Sequence, residues 1–195
     1  MPTRTTAPSP LLLALREGTR DCHKALEARL PFFSPAFDST AYRRLLQAYY
    51  GFHAPLEARL GSYQEARRAK TPALSLDLQA LNLSSADIDA LPLCQALPAI
   101  EDEASALGVM YVLEGSTLGG QVLKKAMAER FDFGPGNGAS FFDVYGELTG
   151  SYWRSFLERL GQAPAAPAAQ AATVQAAVAT FACFEQWLGQ RDVLS

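Results

Sequence analysis

Leu107-Gly108-Val109-Met110-Tyr111-Val112-Leu113-Glu114-Gly115-Ser116-Thr117-Leu118-Gly119-Gly120-Gln121-Val122-Leu123 lies inside a segment, Glu101 to Arg130, that otherwise reads as one long helix. The flanks are good helix formers, so Gly115, Gly119 and Gly120 need a reason. Each glycine in a helix interior costs roughly 1 kcal/mol relative to alanine, and the set costs on the order of 3 kcal/mol. Three readings account for such a cost. A large, flat body lies against the bare backbone, the helix bends there, or neighbouring helices pack closely through small residues.

Outward from this segment, the chain reads as helices separated by proline and glycine. A first helix spans about Ser9 to Leu30, with Leu15, Thr19, Cys22, Leu26 and Leu30 stepping by three and four along one stripe. Pro31 and Pro35 stop it, and Asp38 or Ser39 can cap a second helix carrying Tyr42, Leu45, Leu46, Tyr49, Phe52 and Leu56. Pro55 falls inside that pattern and should kink or divide it. Short helices follow between Thr71 and Pro98, one over Leu74 to Leu81 and one capped by Ser85 that ends near Pro92.

Gly134-Pro135-Gly136-Asn137-Gly138 closes the long helix with a strong loop signal. Two further helices are expected over about Phe141 to Leu160 and Ala168 to Leu188, joined by the alanine- and proline-rich connector 161–169. No strand-like alternation of useful length and no internal repeat appears. The expected fold is all-α, a single-domain helical bundle over residues 11–195 behind a flexible N-terminal arm, residues 1–10.

The totals agree with one domain. A chain of 195 residues suffices for one well-packed core, and 49% hydrophobic with 19% charged residues is ordinary for a globular protein. The net charge of −3 comes without a basic cluster, which argues against a nucleic-acid partner. No apolar run approaches the ~20 residues that cross a bilayer, so no membrane partner is expected. Cys22, Cys94 and Cys183 are odd in number and lack CxxC spacing. They read as free buried thiols in a reducing, cytoplasmic setting.

Only two histidines exist. His23 falls within the apolar stripe of the first helix, three residues before Leu26, and is expected to face inward. Glu27, at i+4, can reach a ring nitrogen and fix the tautomer. Arg16 and Arg20 lie along the same edge and place positive charge at the mouth of a pocket. His53, among Tyr49, Tyr50 and Phe52, reads as a packed aromatic neighbour before it reads as a second ligand. Paired Glu-x-x-His ligands, zinc-ligand spacing and a base beside Ser116 are all lacking. His23 with Glu27, the basic pair and the glycine-broken helix together suggest a flat iron macrocycle between two helices, its acidic groups met by Arg16.

The 107–123 run resembles the distal helix of heme oxygenases in their bacterial form. Leu15-Arg16-Glu17-Gly18-Thr19-Arg20-Asp21-Cys22-His23-Lys24-Ala25-Leu26-Glu27 resembles that family's proximal helix, and Thr180 to Leu188 its last core helix. The resemblance implies a heme sandwiched between a proximal helix and a kinked distal one. It makes His23 the iron ligand, Glu27 its partner, and Arg16 and Arg154 the cations for the propionates. Gly115, Ser116, Gly119 and Gly120 would line the distal face.

The sequence departs from the pattern where animal members carry a water-ordering aspartate, here Ser116. It departs again where a basic residue one turn before Arg154 is replaced by Gly150. The implied activity is oxidative opening of heme b to biliverdin, carbon monoxide and ferrous iron. It would use O2 and an external reductant, a ferredoxin or an NADPH-linked reductase. The implied partners are heme and an electron-donor protein, with a bilin-accepting photoreceptor as one destination of the product and iron recovery as the other. The alternative is a non-catalytic heme-binding or heme-delivery protein of the same fold.

Overall fold

The computed structural model describes residues 8–195. Residues 1–7 of the expected N-terminal arm lie outside the described residues. Helix α1 spans Pro10–Arg29, with Ser9 as N-cap accepting from the Leu12 amide at 3.2 Å and proline at the first helical position. The first helix therefore begins inside the expected arm.

Helix α2, Ser39–Leu60, is capped by Asp38, whose carboxylate accepts from the Ala41 amide at 2.8 Å. Of the two outcomes expected at Pro55, division does not occur, and the helix runs through it. Proline has no N–H to give to the carbonyl four residues back, which is that of Gly51. That carbonyl instead accepts from the Cys94 amide at 2.8 Å, so the lost helical bond is replaced by a tertiary one.

Helix α3 is Thr71–Ala80 and α4 is Ser85–Asp89. The cap of α4 is Ser84 rather than Ser85, in a reciprocal capping box with Asp87, and the helix stops short of Pro92. Helix α5 runs from Glu103 to Phe131, opened by an Asp102–Ser105 capping box and closed by Asp132 in the left-handed region at φ 58°. The glycines do not interrupt its hydrogen-bonded run.

The helix expected from Phe141 starts later. Two 3-10 turns, Phe141–Asp143 and Gly146–Leu148, precede α6 at Thr149–Gly161. Gly146, at φ +53°, lies outside the right-handed helical region. The buried Asp77 carboxylate accepts from the Ser140 and Phe141 amides at 2.7 and 2.8 Å, pinning this strap to α3. Helix α7 spans Pro167–Gln190. Among the described residues there is no strand, only isolated bridges within the 134–138 loop.

The core sits chiefly on α2, α5 and α7. Tyr42, Leu45, Leu46, Phe52 and Leu56 of α2 are fully buried, as are Leu107 and Met110 of α5. A buried side chain of this size contributes about 2 kcal/mol. Helix α7 is the spine, with α5 packed along it most extensively and α1 next. Close approach of α5 to α7 requires Gly108, where a Cβ would collide with the Thr173 carbonyl oxygen. Helices α1 and α5 share α7 but make no extensive contact with each other.

Candidate functional site

His23 is not an inward-facing core residue. Leu15, Thr19 and Leu26 take the buried stripe of α1, and position 23 lies one step round the helix, at the edge of that stripe. Its side chain is 54% exposed and packs edge-on against Phe181 of α7, ring centroids 5.6 Å apart. Glu27 Oε1 lies 3.4 Å from Nε2, in the i+4 relation that the sequence suggested. Nε2 is thus the ring nitrogen nearer the carboxylate.

On α5 the three glycines have different surroundings. A Cβ on Gly119 would meet nothing within 4 Å, and one on Gly115 would meet only the Trp153 ring at 4.0 Å. Gly119 is exposed and Gly115 half-buried. Together they form a strip of bare backbone open on one side. Gly120 is buried against the protein, where a Cβ would stand 2.8 Å from the Phe142 carbonyl oxygen. Close packing against the 141–143 strap therefore explains Gly120, and an open face explains Gly119.

Ser116 is exposed, and its hydroxyl donates to the Leu113 carbonyl at 2.8 Å. Its lone pairs remain available to water. Leu118 and Val122, one turn apart and exposed at 43% and 62%, make the same side of α5 apolar.

Arg16 is exposed and makes no ion pair among the described residues. Arg20 pairs with Asp21 at 3.2 Å instead. Arg154 is exposed on α6, its Nη2 held 3.2 Å from the Ser151 hydroxyl. Two small clefts at the C-terminal end of the chain, one lined by Phe37, Arg44 and Val193 and the other by Gln47, Pro92 and Arg191, include none of these residues.

His53 is buried in an aromatic cage of Tyr49, Phe52, Phe141 and Phe184. Its Nδ1 has no hydrogen-bond partner among the described residues. Burial pushes the imidazole down from its ordinary 6.5 to about 4; Lys70 acts in the same sense and Glu57 against it. It is neutral at neutral pH and sits in the core. Among the described residues, no three of His, Cys, Asp and Glu are grouped to hold a metal ion.

The sequence reading missed a buried charged cluster centred on Glu114, the residue before Gly115. Glu114 is 1% exposed and receives Arg68 Nη1 at 2.6 Å, Lys70 Nζ at 2.8 Å and the Tyr145 hydroxyl at 2.8 Å. Arg68 also donates to the Ser155 hydroxyl at 2.7 Å and the Tyr152 carbonyl at 3.3 Å, both on α6. Burial and the neighbouring Glu114 charge raise the Tyr145 phenol well above its ordinary range, so it remains protonated. One signal was available. Position 114 continues the buried spacing of Leu107, Met110 and Thr117, and a carboxylate there demands cations.

This architecture is that of a known group. The family model for heme oxygenase matches residues 9–190. A protein named heme oxygenase from Xanthomonas campestris pv. campestris (strain 8004) is 31% identical over 159 residues, covering 77% of this chain and 90% of that protein. The chain belongs to the heme oxygenase family.

Solved structures agree in fold. Heme oxygenase-1 from Synechocystis sp. PCC6803, in complex with heme, superposes with a TM-score of 0.75 at 19% identity, over 93% of this chain and 92% of that one. Heme oxygenase from Leptospira interrogans gives 0.75 at 20% identity, over 93% and 100%. The NO- and CO-bound enzyme from Neisseria meningitidis gives 0.74 at 23%, over 95% and 93%.

Proposed function

We propose that the chain binds heme between α1 and α5 and opens it to biliverdin, carbon monoxide and ferrous iron, with O2 and electrons from an external donor protein. The observation that carries this reading is a pair of open features on two helices that share α7. One is the half-exposed His23 imidazole beside Glu27, and the other is the Gly115–Gly119 backbone with space where side chains would stand. The heme-bound Synechocystis structure supports heme as the occupant.

Heme is the substrate, and when bound it supplies the iron at which oxygen is activated. The residues of this chain fit it. His23 offers a ring nitrogen, and Glu27 would orient the ring through the other one. Gly115 and Gly119 let the backbone approach the other face. Leu118 and Val122 add apolar wall. Arg16 and Arg154 offer guanidinium groups to two carboxylates. Ser116 can hold a water through its free lone pairs. Residues 109–123 include neither His nor Arg, the side chains with which a peroxidase pulls the O–O bond apart.

Purified protein mixed with hemin, O2 and ascorbate should lose its Soret band as bilin absorbance grows and carbon monoxide is released. A Soret band that persists under reductant would identify a heme-delivery protein instead.

A further inference from the structure

We propose that Arg68 and Glu114 are positioning residues that set the spacing between the bare α5 backbone and Arg154, and thereby the in-plane seating of the macrocycle. The inference rests on the heme reading above. Gly115 and Gly119 have no side chains with which to grip neighbouring elements, so this part of α5 lacks the knobs that normally fix one helix against another. Glu114, one residue before Gly115, supplies the grip. Its carboxylate is met from the loop before α3 by Arg68 and Lys70, and from the strap by Tyr145.

The guanidinium of Arg68 is the link to α6. One nitrogen donates to Glu114 and to the Tyr152 carbonyl, the other to the Ser155 hydroxyl. Tyr152 and Ser155 flank Arg154 in sequence. Tyr152 also stacks on Tyr145, ring centroids 4.0 Å apart, and lies under the Arg68 guanidinium at 5.1 Å. A single planar fork thus ties the residue before the glycine strip to Tyr152, two residues before the cation expected to hold a propionate, and to Ser155, the residue after it. Lysine cannot reproduce this, because an ammonium is a point charge without the fork's fixed geometry. A propionate held by Arg154 then fixes where the ring edge lies against Gly115 and Gly119. Changing that spacing rotates the ring in its slot and changes which carbon bridge meets the distal wall.

The test uses the hemin–cyanide complex, whose proton spectrum reports ring seating through the paramagnetically shifted heme methyl resonances, without turnover. Wild type, Arg68→Lys and Glu114→Gln are compared, each with a thermal melt. The proposal expects Arg68→Lys, which keeps the charge opposite Glu114, to fold, to bind hemin several-fold more weakly and to show a redistributed methyl pattern. Glu114→Gln should shift the pattern in the same direction. During turnover, both variants should give an altered ratio of bilin isomers. A folded Arg68→Lys with the wild-type methyl pattern overturns the proposal, whatever its melting temperature. Failure of both variants to fold also overturns it, since the cluster would then serve stability alone. Wild type that binds no hemin defeats the heme reading itself, and is told apart because it needs no variant.

Discussion

Gly120 and Phe142 are in backbone contact, so that a methyl group at position 120 would stand 2.8 Å from the Phe142 carbonyl oxygen, while the neighbouring Gly119 faces open space. Adjacent glycines therefore serve opposite ends, and alanine substitution separates them. Gly120→Ala should destabilise the fold by about 1–3 kcal/mol through overpacking. Gly119→Ala should leave stability unchanged or raise it by up to about 1 kcal/mol, as alanine does in an unobstructed helix. It should nevertheless weaken hemin binding. Urea unfolding and hemin titration of both variants check the contrast.

Glu114 is buried with two cations, so its removal and its replacement differ in consequence. Glu114→Leu alone leaves Lys70 buried without an anion and Arg68 with only the half-exposed Glu65, 3.5 Å from its Nε, and should cost about 3–5 kcal/mol. Replacing all three, as Arg68→Met, Lys70→Met and Glu114→Leu, should recover most of that loss, because no buried charge is left to desolvate. Chemical denaturation of the single and triple variants measures it.

The His53 imidazole titrates near 4 in the folded chain and near 6.5 when unfolded. Between these values the unfolded state binds the extra proton. Stability is therefore fully present above pH 6.5 and falls as the pH drops, by up to ~1.4 kcal/mol per unit, until about pH 4. Glu57 and Lys70 are the charged groups that act on the ring. His53→Phe should flatten this part of the stability–pH profile. An unchanged slope would mean that the acid sensitivity originates elsewhere.

Arg16 and Arg154 are exposed, so if they pair with the propionates as proposed, those pairs should be screened by salt. Either alanine variant should weaken hemin binding by about tenfold or less, and should reduce its dependence on ionic strength. Hemin dimethyl ester, which lacks the carboxylates, should bind wild type and variants alike.

Much of this was legible in the sequence because helices announce themselves locally. The cap at Asp38, the stripe from Leu15 to Leu26 and the loop at Gly134–Gly138 all follow from short-range rules. Why Pro55 does not divide its helix is not legible locally, because it depends on Cys94, distant in sequence, which takes up the Gly51 carbonyl. The shift of α6 to Thr149 depends on Asp77 pinning the strap. His23 was placed in the right helix with Glu27 beside it, but spacing alone could not distinguish the stripe from its edge. Three neighbouring glycines looked alike in sequence, and only their surroundings separate Gly120 from Gly119. The Glu114 cluster draws Arg68, Lys70 and Tyr145 from separate segments, and no local pattern joins them.

The most direct measurement is hemin titration of wild type and His23→Ala, followed by optical and resonance Raman spectra of the ferric and ferrous complexes. The account predicts a stoichiometric wild-type complex with an imidazole–iron vibration, and loss of that vibration in His23→Ala, with added imidazole restoring it. An unchanged imidazole–iron vibration in His23→Ala would place the ligand elsewhere and contradict the account.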